Sequence, residues 1–166
     1  MRWLNRVVMQ TASRDWIDSL GPERLDVAEL SGKWGESFRF RSYRSLQFRK
    51  FDPCLGPLRD EAGKVVRFDL ILANQVWEHV DRPHAATRNI WRMLRPGGWF
   101  WLAVPFFVPY HGAPVDCSRW SARGLKNLLV EAGFEPDRVQ SHQWGNRHVA
   151  ARNLELPWPP EYRQGD

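Results

Sequence analysis

The stretch from Arg67 to Pro105 limits the fold more than any other part of the chain. Phe68 to Ala73 is a short, almost wholly apolar run with Asp69 near its start, and Trp99 to Val104 is another. Between them Ala86, Ile90, Met93 and Leu94 recur at helical spacing, so one face of a helix is apolar. Pro83 suits the first helical turn, with Asp81 or Arg82 at the cap position. Arg95-Pro96-Gly97-Gly98 stops the helix and turns the chain. Two apolar strands joined by one amphipathic helix make a βαβ unit. Such a unit predicts a parallel sheet covered on both faces.

The elements around it extend the pattern. Trp3 to Leu20 reads as an N-terminal helix closed by Gly21-Pro22, and Leu25 to Leu30 as the first strand. Phe38 to Phe48 alternates in part and reads as a bent second strand. Phe51 to Lys64, with its prolines, glycines and charges, reads as loop. After an aromatic, irregular segment Ser121 caps a helix. Its Leu125, Leu128, Leu129 and Ala132 form a buried stripe, and Gly133 stops it. Arg138 to His142 is a candidate late strand, WGNRH is loop-like, and 157–166 is a Pro-rich tail ordered where Trp158 or Tyr162 docks.

A length of 166 residues fits one domain that buries a core without disulfides. Two cysteines, Cys54 and Cys117, are too few for a disulfide framework. The first residues lack the apolar core and cleavage site of a secretory leader, and no run of about 18 apolar residues exists. A cytoplasmic protein without a membrane partner is therefore expected. The formal charge of +5 raises the chance of an anionic partner. The arginines are spread, however, and only Arg39, Arg41, Arg44, Arg49 and Lys50 cluster. That pattern is more often a solvated surface than a nucleic-acid footprint.

FDLI, then EHV, then the helix and LRPGG together resemble the second half of a class I S-adenosylmethionine-dependent methyltransferase. The resemblance implies a Rossmann-like, doubly wound, mostly parallel α/β sheet. The interval from Glu29 to Asp69 is short for the family, so the region between its first and fourth strands must be reduced. Ligands in open parallel sheets bind beyond the carboxyl ends of the strands. The resemblance then implies S-adenosylmethionine as cofactor, bound by Glu29, Ser31 and Gly32 after the first strand. Of the family's glycines in that turn only Gly32 and Gly35 remain. Gln47 or Asp52 would meet the ribose hydroxyls, or Asp52 would lie near the adenine, a loop-capping Asp52 beside Pro53 being the alternative. Asn74 and Gln75 would border the methionine part.

His79 would act as a base or hold its loop together. Many methyltransferase-like proteins carry an H-x-x-P-x-D-x-x-R-(W/F/Y) run before a G-L-x-x-L-L-x-x-A-G-F helix, and His111 to Trp120 and Gly124 to Phe134 match both. His111 and Asp116 would line the acceptor pocket as catalytic residues. Tyr110, Arg119 and Trp120 would contact the substrate, and Arg119 could bind a carboxylate or phosphate. An internal Asp116–Arg119 ion pair pinning the loop is the alternative. No short ligand spacing supports a metal site from His79, His111 and Cys117, and none is expected.

The expected activity is methyl transfer to an oxygen or nitrogen of a small-molecule acceptor, since no separate recognition domain is present. A scaffold that lost activity, and an RNA-binding or RNA-modifying protein using Arg39 to Lys50, are the rivals. Self-association into a homodimer stays open.

Overall fold

A computed structural model describes Leu4, residues 6–112 and residues 114–166. Its centre is a four-stranded sheet, parallel throughout, in the order β2-β1-β3-β4. The strands are β1 (Asp26–Leu30), β2 (Ser42–Leu46), β3 (Phe68–Asn74) and β4 (Leu94–Ala103). The helices are α1 (Val7–Ser19), α2 (Pro83–Arg92), α3 (Ala122–Ala132) and α4 (Arg147–Arg152). Trp3, the proposed start of the first helix, lies outside the described residues.

Strand alternation sorts the core into two layers. Ala28, Leu30, Ile71 and Ala73 pack with Ala86, Ile90 and Met93 of the α2 region and Leu128 of α3. Val27, Leu70 and Leu72 pack with Ile17 of α1 and an aromatic group that includes Trp16, Trp34, Phe38 and Trp101. Helices therefore cover both faces, as the apolar runs predict. The short interval is also explained. β1 reaches β2 through a 3-10 helix at Trp34–Ser37, and β2 reaches β3 through loop with no α-helix.

The starts of the strands are clasped by charge. The Asp26 carboxylate accepts from Arg41 Nε at 2.8 Å and Nη2 at 2.6 Å and from Ser42 Oγ at 2.8 Å, and Arg95 Nη2 lies 2.8 Å away. Asp69 Oδ2 accepts from the Asp26 N–H at 2.8 Å and from Arg95 Nη1 at 2.6 Å. One network thus joins the first residues of all four strands. Hydrogen bonds from Arg41, then from Ser42, hold Asp26 well below the ordinary carboxylate range.

Several boundaries differ from the sequence reading. The second strand is only Ser42–Leu46. Phe38 and Phe40 precede it, because their rings stack on each other at 5.4 Å and join Trp34 and Tyr43 instead of extending the ladder. Arg95 to Gly98 does not precede the last strand but bulges from within it, since Phe68 pairs with Leu94 and Leu70 with Trp99. Gly97 takes φ +77, and a Cβ on Gly98 would press on the carbonyls of Arg95, Asp69 and Phe68 at 3.0–3.2 Å.

The proposed late strand at 138–142 does not form. Pro136–Arg138 is a 3-10 turn and 139–146 is irregular, mostly exposed chain with no apolar face to bury. Part of the WGNRH loop is helical, because the Asn146 side chain accepts from the Val149 N–H at 2.9 Å and starts α4. Ser121 and Gly133 bound α3 as expected. No helix among the described residues is long and apolar enough to cross a membrane.

Candidate active site

The carboxyl edge of the sheet carries the backbone strain of this protein. The non-glycine residues with positive φ are Ser31 at +51, Arg49 at +79 and Gln75 at +57 among the described residues. Ser31 directly follows β1, Gln75 directly follows β3, and Arg49 is the third residue after β2. Strain of this kind costs about 1–3 kcal/mol per residue and persists where the surroundings over-determine it. Here the Ser31 N–H donates to the Leu46 carbonyl at 2.9 Å and the Gln75 N–H to the Ala103 carbonyl at 2.8 Å.

The turn after β1 is built on Glu29. This carboxylate is wholly buried, yet it accepts from the Trp34 N–H at 3.0 Å, the Gly35 N–H at 2.6 Å and the Tyr43 hydroxyl at 2.7 Å. Burial first, and Glu29 second, push the Tyr43 phenol up, which keeps it a donor at neutral pH. A Cβ on Gly32 would lie 2.1 Å from Glu29 Oε1, and one on Gly35 2.4 Å from the Tyr43 ring. Both surviving glycines are thus required by the carboxylate and its phenol. Glu29 shapes the turn; its own oxygens are already used.

The other proposed cofactor contacts gather near this edge with differing freedom. Gln47 Nε2 donates to Ser45 Oγ, whose hydroxyl donates to the Gly32 carbonyl. Asp52 Oδ1 accepts from the Cys54 N–H at 2.8 Å, the loop-capping geometry. Asn74 Oδ1 is buried without a partner. A buried orphan acceptor at a strand end is what a cofactor's donor group would satisfy, so the residues fit such a ligand.

The second loop places Trp77–His79 in a 3-10 turn. Trp77 is fully buried and donates from Nε1 to Thr87 Oγ1 at 2.9 Å. The Glu78 carbonyl accepts from the Cys117 N–H at 2.7 Å, which ties this loop to the segment after β4. His79 Nδ1 contacts the Val115 carbonyl. As a carbonyl only accepts, Nδ1 carries a proton and Nε2 is the nitrogen left for other partners. The His79 and His111 rings meet edge to face with centroids 4.9 Å apart, and His111 stacks on Trp158 at 5.2 Å. Burial first, and His79 second, push His111 below the ordinary histidine range, which favours its neutral form.

Asp116 and Arg119 form the internal ion pair given above as the alternative. Arg119 Nη2 donates to Asp116 Oδ2 at 2.6 Å, Nη1 reaches Oδ1, and the guanidinium also bonds the Ser118 and Pro109 carbonyls. Asp116 Oδ2 further accepts from the His111 N–H at 2.9 Å. The pair fixes the backbone that carries His111. Trp120 packs on the core beside α2 with its Nε1 buried and unpartnered, while Tyr110 is largely exposed.

Glu78 is the site residue that sequence reasoning passed over. It is fully buried and neither carboxylate oxygen has a hydrogen-bond partner. Its ligand atoms and those of His79 and His111 lie within 4.8 Å of one another. Cys117 turns away and donates to Asp81 Oδ1 at 3.5 Å. Adjacency in EHV was the available signal, but not which way Glu78 would face. A groove of about 720 Å³ opens elsewhere, lined by Arg44, Arg59, Lys64, Arg67 and Arg95 beside the starts of β3 and β4. Within the Arg39–Lys50 cluster, Arg41 is bound to Asp26 and Asp69.

The model of the family described as "Methyltransferase domain" matches residues 20–102, half of the chain. No curated protein matches. Among solved structures, a chain of the complex between the Haloferax volcanii Trm112 methyltransferase activator and a methyltransferase is similar. It has 16% identity and a TM-score of 0.49, covering 88% of this chain and 86% of that one. The matched span runs from the turn before β1 into β4 and holds the Glu29 turn, the EHV loop and the LRPGG bulge: this chain belongs to the methyltransferase-domain family.

Proposed function

We propose that the protein methylates an oxygen or nitrogen atom of a small-molecule acceptor with S-adenosylmethionine. The observation that carries this is the gathering of Glu78, His79 and His111 beside the carboxyl edge of a methyltransferase-family sheet. When bound, the cofactor supplies an electrophilic methyl on a positively charged sulfur. The chain's task is then to position the acceptor, exclude water and remove the acceptor's proton.

The backbone at Ser31 and Gly32 would hold the cofactor's carboxylate. Asn74 and Gln75 would border its methionine part, and Gln47 and the second oxygen of Asp52 its ribose hydroxyls. Glu29 acts through the turn it shapes. The acceptor's proton would leave at the cluster, where His79 Nε2 lies 3.8 Å from Glu78 Oε1 and the His111 ring stands beside it. Asp116 positions His111 through its backbone, and Arg119 holds Asp116. Tyr110 and Trp120 flank the acceptor side. Neither nucleic acid nor a membrane is needed in this reading, and the setting is cytoplasmic.

S-adenosylhomocysteine, the product, tests the reading. It should raise the melting temperature, because a ligand that binds only the folded state stabilises it. His111→Ala should lower turnover while cofactor affinity stays within a few fold. No thermal shift at millimolar ligand, with the protein folded, sinks the enzymatic reading and leaves a scaffold that kept the fold.

A further inference from the structure

A fully buried carboxylate without a donor is the least stable arrangement a glutamate can take. Glu78 is such a residue, with zero exposure and both oxygens unpaired. Something must answer it. The His79 ring stands beside it, but Nε2 lies 3.8 Å from Oε1, too far for a hydrogen bond. Arg119 acts on Glu78 only through its charge and gives it no hydrogen bond, since the guanidinium is taken up by Asp116 and two backbone carbonyls. A proton would cancel the charge of Glu78 but leave its O–H without an acceptor, so the group would still be unsatisfied.

The surroundings are those of a ligand set. His79 Nδ1 is held by the Val115 carbonyl, which leaves Nε2, 3.8 Å from Glu78 Oε1, as the nitrogen available to a ligand. Backbone carbonyls orient metal-binding histidines in this way. His111 completes the group, its ring fixed between His79 and Trp158, its backbone N–H held by Asp116. The three ligand atoms lie within 4.8 Å of each other. Bonds of about 2 Å at tetrahedral angles put ligand atoms ~3.3 Å apart, so closing the set takes movements of ~1.5 Å at most. Two imidazoles and one carboxylate suit a divalent transition cation of the zinc type and leave a coordination position open.

We propose that Glu78, His79 and His111 bind one divalent transition cation, whose open position faces the acceptor side of the site. This deepens the function proposed above. The cation, rather than a free imidazole, would lower the acceptor's pKa and hold its oxygen or nitrogen in line. The binding claim itself needs no turnover.

The test is titration of metal-free, tag-free protein with Co²⁺, followed by its visible absorption, with Zn²⁺ as competitor. One equivalent should bind with the bands of four- or five-coordinate cobalt, and Zn²⁺ should displace it. Glu78→Gln and His111→Ala should each weaken binding at least tenfold, whereas His84→Ala, at an exposed histidine paired with Glu131, should not. No stoichiometric binding to wild type, or binding that survives both site variants, overturns the proposal. Should Glu78→Gln fail to fold, His111→Ala and the nitrogen-ligand count from X-ray absorption of the wild-type complex decide. S-adenosylhomocysteine binding measured on the same samples separates the two readings: cobalt bound without it retains the metal site and removes the methyltransferase, and the reverse does the opposite.

Discussion

Glu29 and Glu78 are both wholly buried, and their environments are opposite. Glu29 ends in three hydrogen bonds, two from the backbone it folds and one from Tyr43. Glu78 has none. The first carboxylate is a structural part whose charge is used up in shaping a turn. The second is held by its neighbours in a place that costs free energy, and such a cost persists where function requires it. The comparison also separates the two halves of the site. The turn after β1 is finished in the folded chain, whereas the end of β3 and the segments after β3 and β4 keep unmet groups: Asn74, Glu78 and the Trp120 indole.

The strongest way to break this contrast is Glu29→Ala. It strands two backbone donors and a buried phenol, so a loss of roughly 3–5 kcal/mol is expected in denaturant unfolding. A loss under 1 kcal/mol would mean the turn does not depend on its carboxylate. Gly32→Ala should be damaging for the same reason, as its Cβ would collide with Glu29. That substitution therefore probes the fold before it probes the cofactor.

Glu78→Gln should move the other way. Burial pushes the Glu78 carboxyl above the ordinary range, so in metal-free protein at neutral pH the folded chain carries the cost of desolvating or protonating it. Gln removes that cost, and a gain of about 1–3 kcal/mol is expected. Opposite signs at two equally buried glutamates are the sharpest outcome. A destabilised Glu78→Gln would show that the carboxylate has a partner, which equilibrium unfolding would reveal directly.

The smallest effect concerns the opposite edge of the sheet. The folded-state pKa of Asp26 lies below its unfolded value, through Arg41, Ser42 and Arg95. Its contribution is then present above the unfolded pKa, near 3.9, and lost as the pH falls below it. Asp26→Asn should be less stable than wild type at pH 7, and the gap should narrow between about pH 4 and pH 2. A gap that stays constant over that range would remove the ionic clasp from the account. Arg41 is half exposed, so solvent screening keeps the effect modest.

The sequence by itself determined the parallel sheet. Apolar runs at Phe68 and Trp99 around a helix of period 3.6 have one packing solution, and the caps at Ser121 and Gly133 are local chemistry. The family was legible for the same reason, since FDLI, EHV and LRPGG lie in one continuous segment with local geometry. Only the tertiary structure decided the fates of the polar residues. Glu29 and Asp116 read as ligand contacts, but their partners Tyr43 and Arg119 reach them through folded loops and take up their oxygens. Glu78 and His111 are far apart in sequence. They meet because the segment after β4 bonds back to the Glu78 carbonyl. The tail reaches the same place, with Trp158 against His111. Periodicity records which face of an element is buried; it does not record which loop crosses which, and a charged site is made by those crossings.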